Sequence, residues 1–175
     1  MQAIGSDYWK FDETGVQKWC YNNFEDNCTK NGGLYEWWEV VCGGYCDGKM
    51  TPDKAQSTTL SSETELAAYG AKMVPGSKTM VQGICPNGWH LPSDKEWTTL
   101  GKVATGWTIQ LGGRRSSNGD GFYDLNNNSF WWSSTPNGPA NVWHWDLNQS
   151  AKIGTPFTRL NNGRTSGFSV RCVRN

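Results

Sequence analysis

The stretch Cys85–Trp97 reads CPNGWHLPSDKEW. It runs from an apolar lead-in, Gln82-Gly83-Ile84, through a Pro-Asn-Gly turn and into a helix start. Pro92 stops the extended segment. Ser93 and Glu96 then occupy the N-cap and N3 positions of a capping box, where each side chain satisfies a backbone N–H that the first helical turn leaves open. The spacing predicts a helix over 94–103, with Trp97 and Leu100 on its core face.

Upstream, Ser62-Glu63-Thr64-Glu65 repeats the capping signature ahead of Leu66-Ala67-Ala68-Tyr69, which predicts a short helix ending near Lys72. In LYEWWEVV, 34–41, the residues Leu34, Trp37, Trp38 and Val41 fall on one helical face. Short strands are expected at Tyr8–Phe11 and Gln17–Asn22, and a surface loop over 43–60. Downstream the texture changes. Gly112-Gly113, Asn118-Gly119 and Asp120-Gly121 are turn dipeptides, and SFWWSST, NVWHWDLN, KIGTPFTRL and GFSVRCVRN are short β-type segments between turns. Helices first and strands later indicate an α+β class, one domain over 1–175 with two main helices, small antiparallel sheets and long loops.

With 16 basic and 16 acidic residues the formal net charge is zero, and only 18% of residues are charged. Such a chain has no electrostatic pull toward phosphate backbones or anionic lipid, so no nucleic-acid partner is expected, and no membrane insertion. Met1–Lys10 lacks the basic and apolar regions of a secretion signal. The 11 tryptophans and 21 glycines describe loops carrying amphipathic rings, as recognition surfaces do. Trp9, Trp37, Trp89, Trp97, Trp131 and Trp132 are assigned to the core.

Six cysteines permit full pairing. Their layout favours pairing within three sets: Cys20 with Cys28 in CYNNFEDNC, Cys42 with Cys46 in CGGYC, and Cys85 with Cys172 across a long loop. The spacings are not paired zinc knuckles and no histidine lies near, which disfavours a structural zinc. Bridges of this kind imply an oxidising or extracellular setting.

CPNGWHLPSDKEW, together with the ending GFSVRCVRN, resembles the Fibrobacter succinogenes major paralogous domain family. CYNNFEDNCTKNGGLYEWWE, WWSST at 131–135 and the Trp143 strand extend the resemblance over most of 17–175, while 43–80 departs from it and is read as an insertion. The resemblance implies a C-type-lectin-like fold. It also implies kinship with the variable proteins of diversity-generating retroelements, whose C-terminal segment is rewritten at adenine positions of a template and which are displayed on cells or virions.

The C-terminal part, 130–175, separates into a frame and a fill. Trp131, Ser133, Ser134, Trp143, Leu147, Ile153, Gly167, Phe168, Val170, Arg171 and Cys172 have the look of structure. His144, Trp145, Asp146, Gln149, Gly154, Thr155, Pro156, Phe157, Thr158, Arg159 and Leu160 are chemically miscellaneous and follow neither strand nor helix periodicity. Randomising both adenines of an AAY asparagine codon reaches most of these residue types but never tryptophan; an AGG arginine codon as template reaches Trp145.

Catalytic chemistry finds little to stand on. His90 has no nucleophile or metal partner in view, and the capping box accounts for Asp94 and Glu96. Ser133-Ser134 lacks a nucleophile elbow. The resemblance also extends to the related fold of sulfatase-modifying enzymes, which use reactive cysteines, but here all six cysteines are assigned to bridges. Calcium-dependent sugar binding would need a Glu-Pro-Asn type motif, where this chain has Thr135-Pro136-Asn137, and a Trp-Asn-Asp type strand, of which Trp143–Asp146 is a distant echo.

The expected function is therefore ligand capture without catalysis, cofactor or metal, though a structural calcium elsewhere stays open. The ligand is a protein or glycan on another cell or virus. Its contacts are assigned to Asn137, Asn141, His144, Trp145, Asp146, Gln149, Thr155, Phe157, Arg159, Leu160 and Asn161, with Trp145 and Phe157 as exposed anchors. On that expectation, alanine at Trp145 weakens binding by about 2 kcal/mol or more and leaves the melting temperature unchanged. The alternative is an invariant calcium-dependent carbohydrate-binding module.

Overall fold

The computed structural model describes residues 2–3, 9–11, 16–43, 59–103, 110–148 and 157–175. Its strands are β1 (Gln2–Ala3), β2 (Trp9–Phe11), β3 (Gln17–Trp19), β4 (Trp89–His90), β5 (Gly112–Arg115), β6 (Phe122–Leu125), β7 (Asn128–Asn137), β8 (Asn141–Asn148), β9 (Thr158–Gly163) and β10 (Val173–Arg174). The helices are α1 (Glu25–Asn31), α2 (Trp37–Cys42), α3 (Glu63–Leu66) and α4 (Asp94–Val103). Helices and sheets are thus combined as expected. However, the described residues hold four α-helices where two main ones were expected.

The additional helix, α1, lies in the polar CYNNFEDNC segment. No apolar stripe announces it. Its support is local: Glu25 and Asp26 sit in the first turn, Lys30 sits in the last, and Cys28 is tied to Cys20 by a disulfide. The expected 34–41 helix is shorter and begins later, because Leu34 is exchanged into backbone hydrogen bonds with Trp19 at 2.8 and 2.9 Å. In α2, Trp37, Trp38, Val40 and Val41 are all buried. The helix stops at Gly43, φ 64°, where a Cβ would stand 2.5 Å from the carbonyl oxygen of Gly83, so only glycine fits.

The capping box at Ser93 forms as predicted: the Ser93 N–H donates to Glu96 Oε2 at 2.8 Å, and the Glu96 N–H donates to Ser93 Oγ at 3.2 Å. The box at Ser62 does not form. Glu65 instead accepts from the N–H and hydroxyl of Ser61, Ser62 turns to Thr64, and α3 gives way to a short 3-10 turn ending at Gly70.

The largest sheet has the order β6-β5-β7-β8-β9. Its pairings are antiparallel except for a short parallel contact between β5 and β7. Register sets Trp131 opposite Trp145 and Trp132 opposite His144. Side chains alternate across a strand, so the sheet has two buried faces. One carries Phe130, Trp132 and His144 onto Phe168 and the α2 side of the core. The other carries Trp131 and Trp145 onto Trp97 of α4 and Phe157. This double coverage explains why SFWWSST does not alternate: Ser129 through Ser134 are all buried.

The motifs at 85–97 and 167–175 meet in space. Cys85 is bonded to Cys172, and β4 pairs with β10, His90 opposite Val173. Cys20–Cys28 is likewise formed as expected. Cys46, and with it the expected Cys42–Cys46 bridge, lies outside the described residues. Two disulfides of this kind belong to a chain that matures in an oxidising environment. No helix among the described residues is long and apolar enough to cross a membrane. Of the segment set apart as an insertion, 44–58 lies outside the described residues, while Leu60, Leu66, Ala71 and Val74 join the buried core. Trp89, assigned to the core, is 40% exposed, because in β4 it is His90 that points inward. Trp9 lies in β2, and its side chain is outside the description.

Candidate ligand-binding site

The edge strand β9 pairs along one side with β8, placing Thr158 opposite Asp146, Arg159 opposite Trp145, Leu160 opposite His144 and Asn161 opposite Trp143. Thr158, Arg159, Leu160 and Asn161 are exposed. The partner residues behind them are not: His144 is 2% and Trp145 6% exposed, and Phe157, at the entry to β9, is 6% exposed. The expectation that Trp145 and Phe157 are surface anchors is therefore corrected. Both belong to the packed layer beneath α4, with ring centroids 6.4 and 5.8 Å from that of Trp97. Strand alternation turned Trp145 toward a face that α4 covers.

His144 is also corrected, from ligand contact to core ring. It packs against Phe168 at 4.7 Å, and its Nδ1 has no hydrogen-bond partner among the described residues. Burial, with Arg114 adding a smaller push, lowers its pKa from 6.5 to about 4. The folded state thus favours the neutral ring. Its contribution is complete above pH 6.5 and is lost as pH falls from 6.5 toward 4. Between pH 7 and pH 4, urea unfolding should show the native chain losing on the order of 3 kcal/mol more than His144→Phe. Parallel losses in the two proteins would contradict this assignment.

Asp146 is half-buried. Desolvation raises its pKa, offset in part by a hydrogen bond with Thr158, and its Oδ1 lacks a partner among the described residues. Asn137 and Asn141 face each other across the β7–β8 hairpin, half-buried at the rim. Gln149 and Thr155 lie outside the described residues. The exposed members of the expected set are thus gathered on β9: Arg159 and Asn161 on the Trp143 face, Leu160 on the Asp146 face.

Three residues of this region were not among the contacts assigned from sequence: Thr158, exposed at the start of β9, Trp143 and Asp94. Trp143, read as frame, lies half-buried beneath Arg159, whose guanidinium carbon is 3.3 Å from the indole centroid. Asp94, read as a helix-start carboxylate, accepts from Trp145 Nε1 at 3.1 Å and from Arg159 Nε and Nη2 at 2.7–2.9 Å. The capping box is made by Ser93 and Glu96, so Asp94 is left to reach across to the sheet. No local sequence pattern encodes contacts spanning 51 and 65 residues.

A separate groove of about 680 Å³ lies between α3 and α4, lined by Glu63, His90, Leu91, Glu96, Leu100 and Arg174 among others. Its carboxylates are engaged: Glu63 with the Thr135 hydroxyl, Glu96 with Ser93 and with His90 Nε2 at 2.9 Å. Ser133 Oγ donates to the Trp143 carbonyl at 2.7 Å. Among the described residues, no three His, Cys, Asp or Glu side chains converge as a cation cage, and no cysteine is free.

A family model described as the Fibrobacter succinogenes major domain matches residues 5–105 of the chain. The match includes CPNGWHLPSDKEW and runs through the segment set apart as an insertion. It ends before the WWSST and GFSVRCV strands. No curated protein matches the chain, and no solved structure does.

Proposed function

The chain belongs to the Fibrobacter succinogenes major domain family, and from that premise we propose that it is a ligand-binding module, not an enzyme, that captures its ligand through β9 and the adjoining β8 face. In this reading the fold is C-type-lectin-like and the chain is the variable protein of a diversity-generating retroelement. It is displayed on a cell surface or virion and binds a protein or glycan on another cell or virus. One observation carries the proposal. Thr158, Arg159, Leu160 and Asn161 form an exposed run of unrelated side chains on an edge strand whose supporting layers are buried on both sides. Exposed positions on a rigid base can change without altering the fold, which is what a diversified surface requires.

The contact set is accordingly Thr158, Arg159, Leu160 and Asn161, with Trp143 beside them and Asn137, Asn141 and Asp146 at the margins. Chains randomised together at Leu160 and Asn161 should keep melting temperatures within about 5 °C of the native chain, since surface changes rarely exceed about 0.5 kcal/mol each. Selection from that library against an arbitrary protein target should yield specific binders. Collapse of the melting temperature across the library would refute the assignment. Glycan capture by the native chain that EDTA abolishes would point instead to the calcium-dependent carbohydrate module.

A further inference from the structure

Asp94, Trp143 and Arg159 come from three elements, α4, β8 and β9, and meet as a salt bridge laid on an aromatic ring. Arg159 Nε donates to Asp94 Oδ1 at 2.8 Å and Oδ2 at 2.9 Å, and Nη2 donates to Oδ2 at 2.7 Å. The guanidinium carbon lies over the Trp143 ring, 3.3 Å from its centroid. The Asp94 side chain is 15% exposed and that of Arg159 is 41% exposed. The carboxylate is held independently of the arginine: Trp145 Nε1 donates to Oδ1, and the Asp94 backbone N–H donates to Thr135 Oγ1 at 2.9 Å. Arg159 belongs to neither buried core cluster.

We propose that Trp143 and Asp94 form a binding site for a planar guanidinium group, which Arg159 fills from within the chain. The site opens to an arginine side chain of a partner when position 159 carries a residue without that group. The walls are scaffold and the occupant is not, so removing Arg159 leaves an oriented carboxylate beside a bare indole face. A guanidinium meets both at once, stacking on the ring while donating two parallel hydrogen bonds. A lysine ammonium, a hydrated point charge, matches neither geometry as well. Asp94 also holds the Arg159 pKa above its ordinary value through the same hydrogen bonds, as a well-matched cation site does. Residue 159 then acts as a selector. Arginine there gives a self-satisfied, locally neutral surface, whereas a small residue gives one that seeks a cation. The use of this selector in ligand capture rests on the function proposed above; the existence of the site does not.

The test is titration of the native chain, Arg159→Ala and Arg159→Gln with N-acetyl-arginine amide at constant ionic strength, following indole N–H resonances and tryptophan fluorescence. Two variants are used so that a folding defect in one leaves the other readable. Both should bind saturably in the millimolar range with shifts at Trp143 and Trp145, and the native chain should not respond. The lysine analogue should bind at least about fivefold more weakly. Adding Asp94→Asn to either variant should weaken binding at least about tenfold. A folded variant that does not respond, a native chain that responds equally, or binding indifferent to Asp94→Asn would each overturn the proposal. Absence of this site with a folded, selectable library would leave the binding face intact. A library that unfolds would remove the face and leave the titration readable.

Discussion

Trp145→Ala is expected to cost about 3–5 kcal/mol of folding stability, the range for truncating a buried large aromatic. The indole is 6% exposed, stacked near Trp97 and in the same cluster as Trp131 and Phe157. Its N–H is also a partner of Asp94. Alanine would leave a cavity in the layer between sheet and helix, and the neighbours are tied by α4 and by β7, so collapse around it is restricted. Leu160→Ala, on the next strand and 44% exposed, should stay within about 0.5 kcal/mol. Urea unfolding of the two variants side by side checks the contrast. Equal, small effects would put Trp145 back on the surface as a free anchor.

Replacing Cys85 and Cys172 together by alanine should cost about 4.6 kcal/mol, against about 2.5 kcal/mol for the Cys20–Cys28 pair, when the chain-entropy relation is applied to separations of 87 and 8 residues. The long bridge closes nearly all of the C-terminal half of the chain. It also braces the two-residue ladder of β4 and β10, which is too short to persist by itself. Its loss should therefore free the C-terminal residues first, as early amide exchange at Val173 and Arg174, before global unfolding. Non-reducing denaturant titrations of both double variants give the ranking. A costlier short bridge would contradict it.

The parts of this fold that were legible in the sequence are those whose signal is local. The Ser93–Glu96 box announces α4, turn dipeptides bracket the strands, and two of the three cysteine sets pair as their layout indicates. The parts that were not legible depend on what covers what. Period-2 alternation says that Trp145 and His144 point to opposite faces, but not that both faces are covered. With α4 on one side and Phe168 on the other, neither reaches solvent. Helix α1 escaped because a disulfide and terminal charges stabilise it in place of an apolar stripe. At the site, Thr158, Arg159 and Leu160 were legible as odd residues in a strand context. Trp143 and Asp94 were not, because their role is contributed by a partner on another element.

The most direct measurement is deep sequencing of the coding region for residues 120–175 across the source population, together with its flanking DNA. Substitutions confined to adenine positions of a nearby near-identical repeat are expected. They should be dense at Thr158, Arg159, Leu160 and Asn161 and absent from the Trp131, Gly167 and Cys172 codons. A uniform sequence with no repeat, or changes scattered without regard to exposure, would contradict the proposal that β9 is a diversified ligand-binding edge.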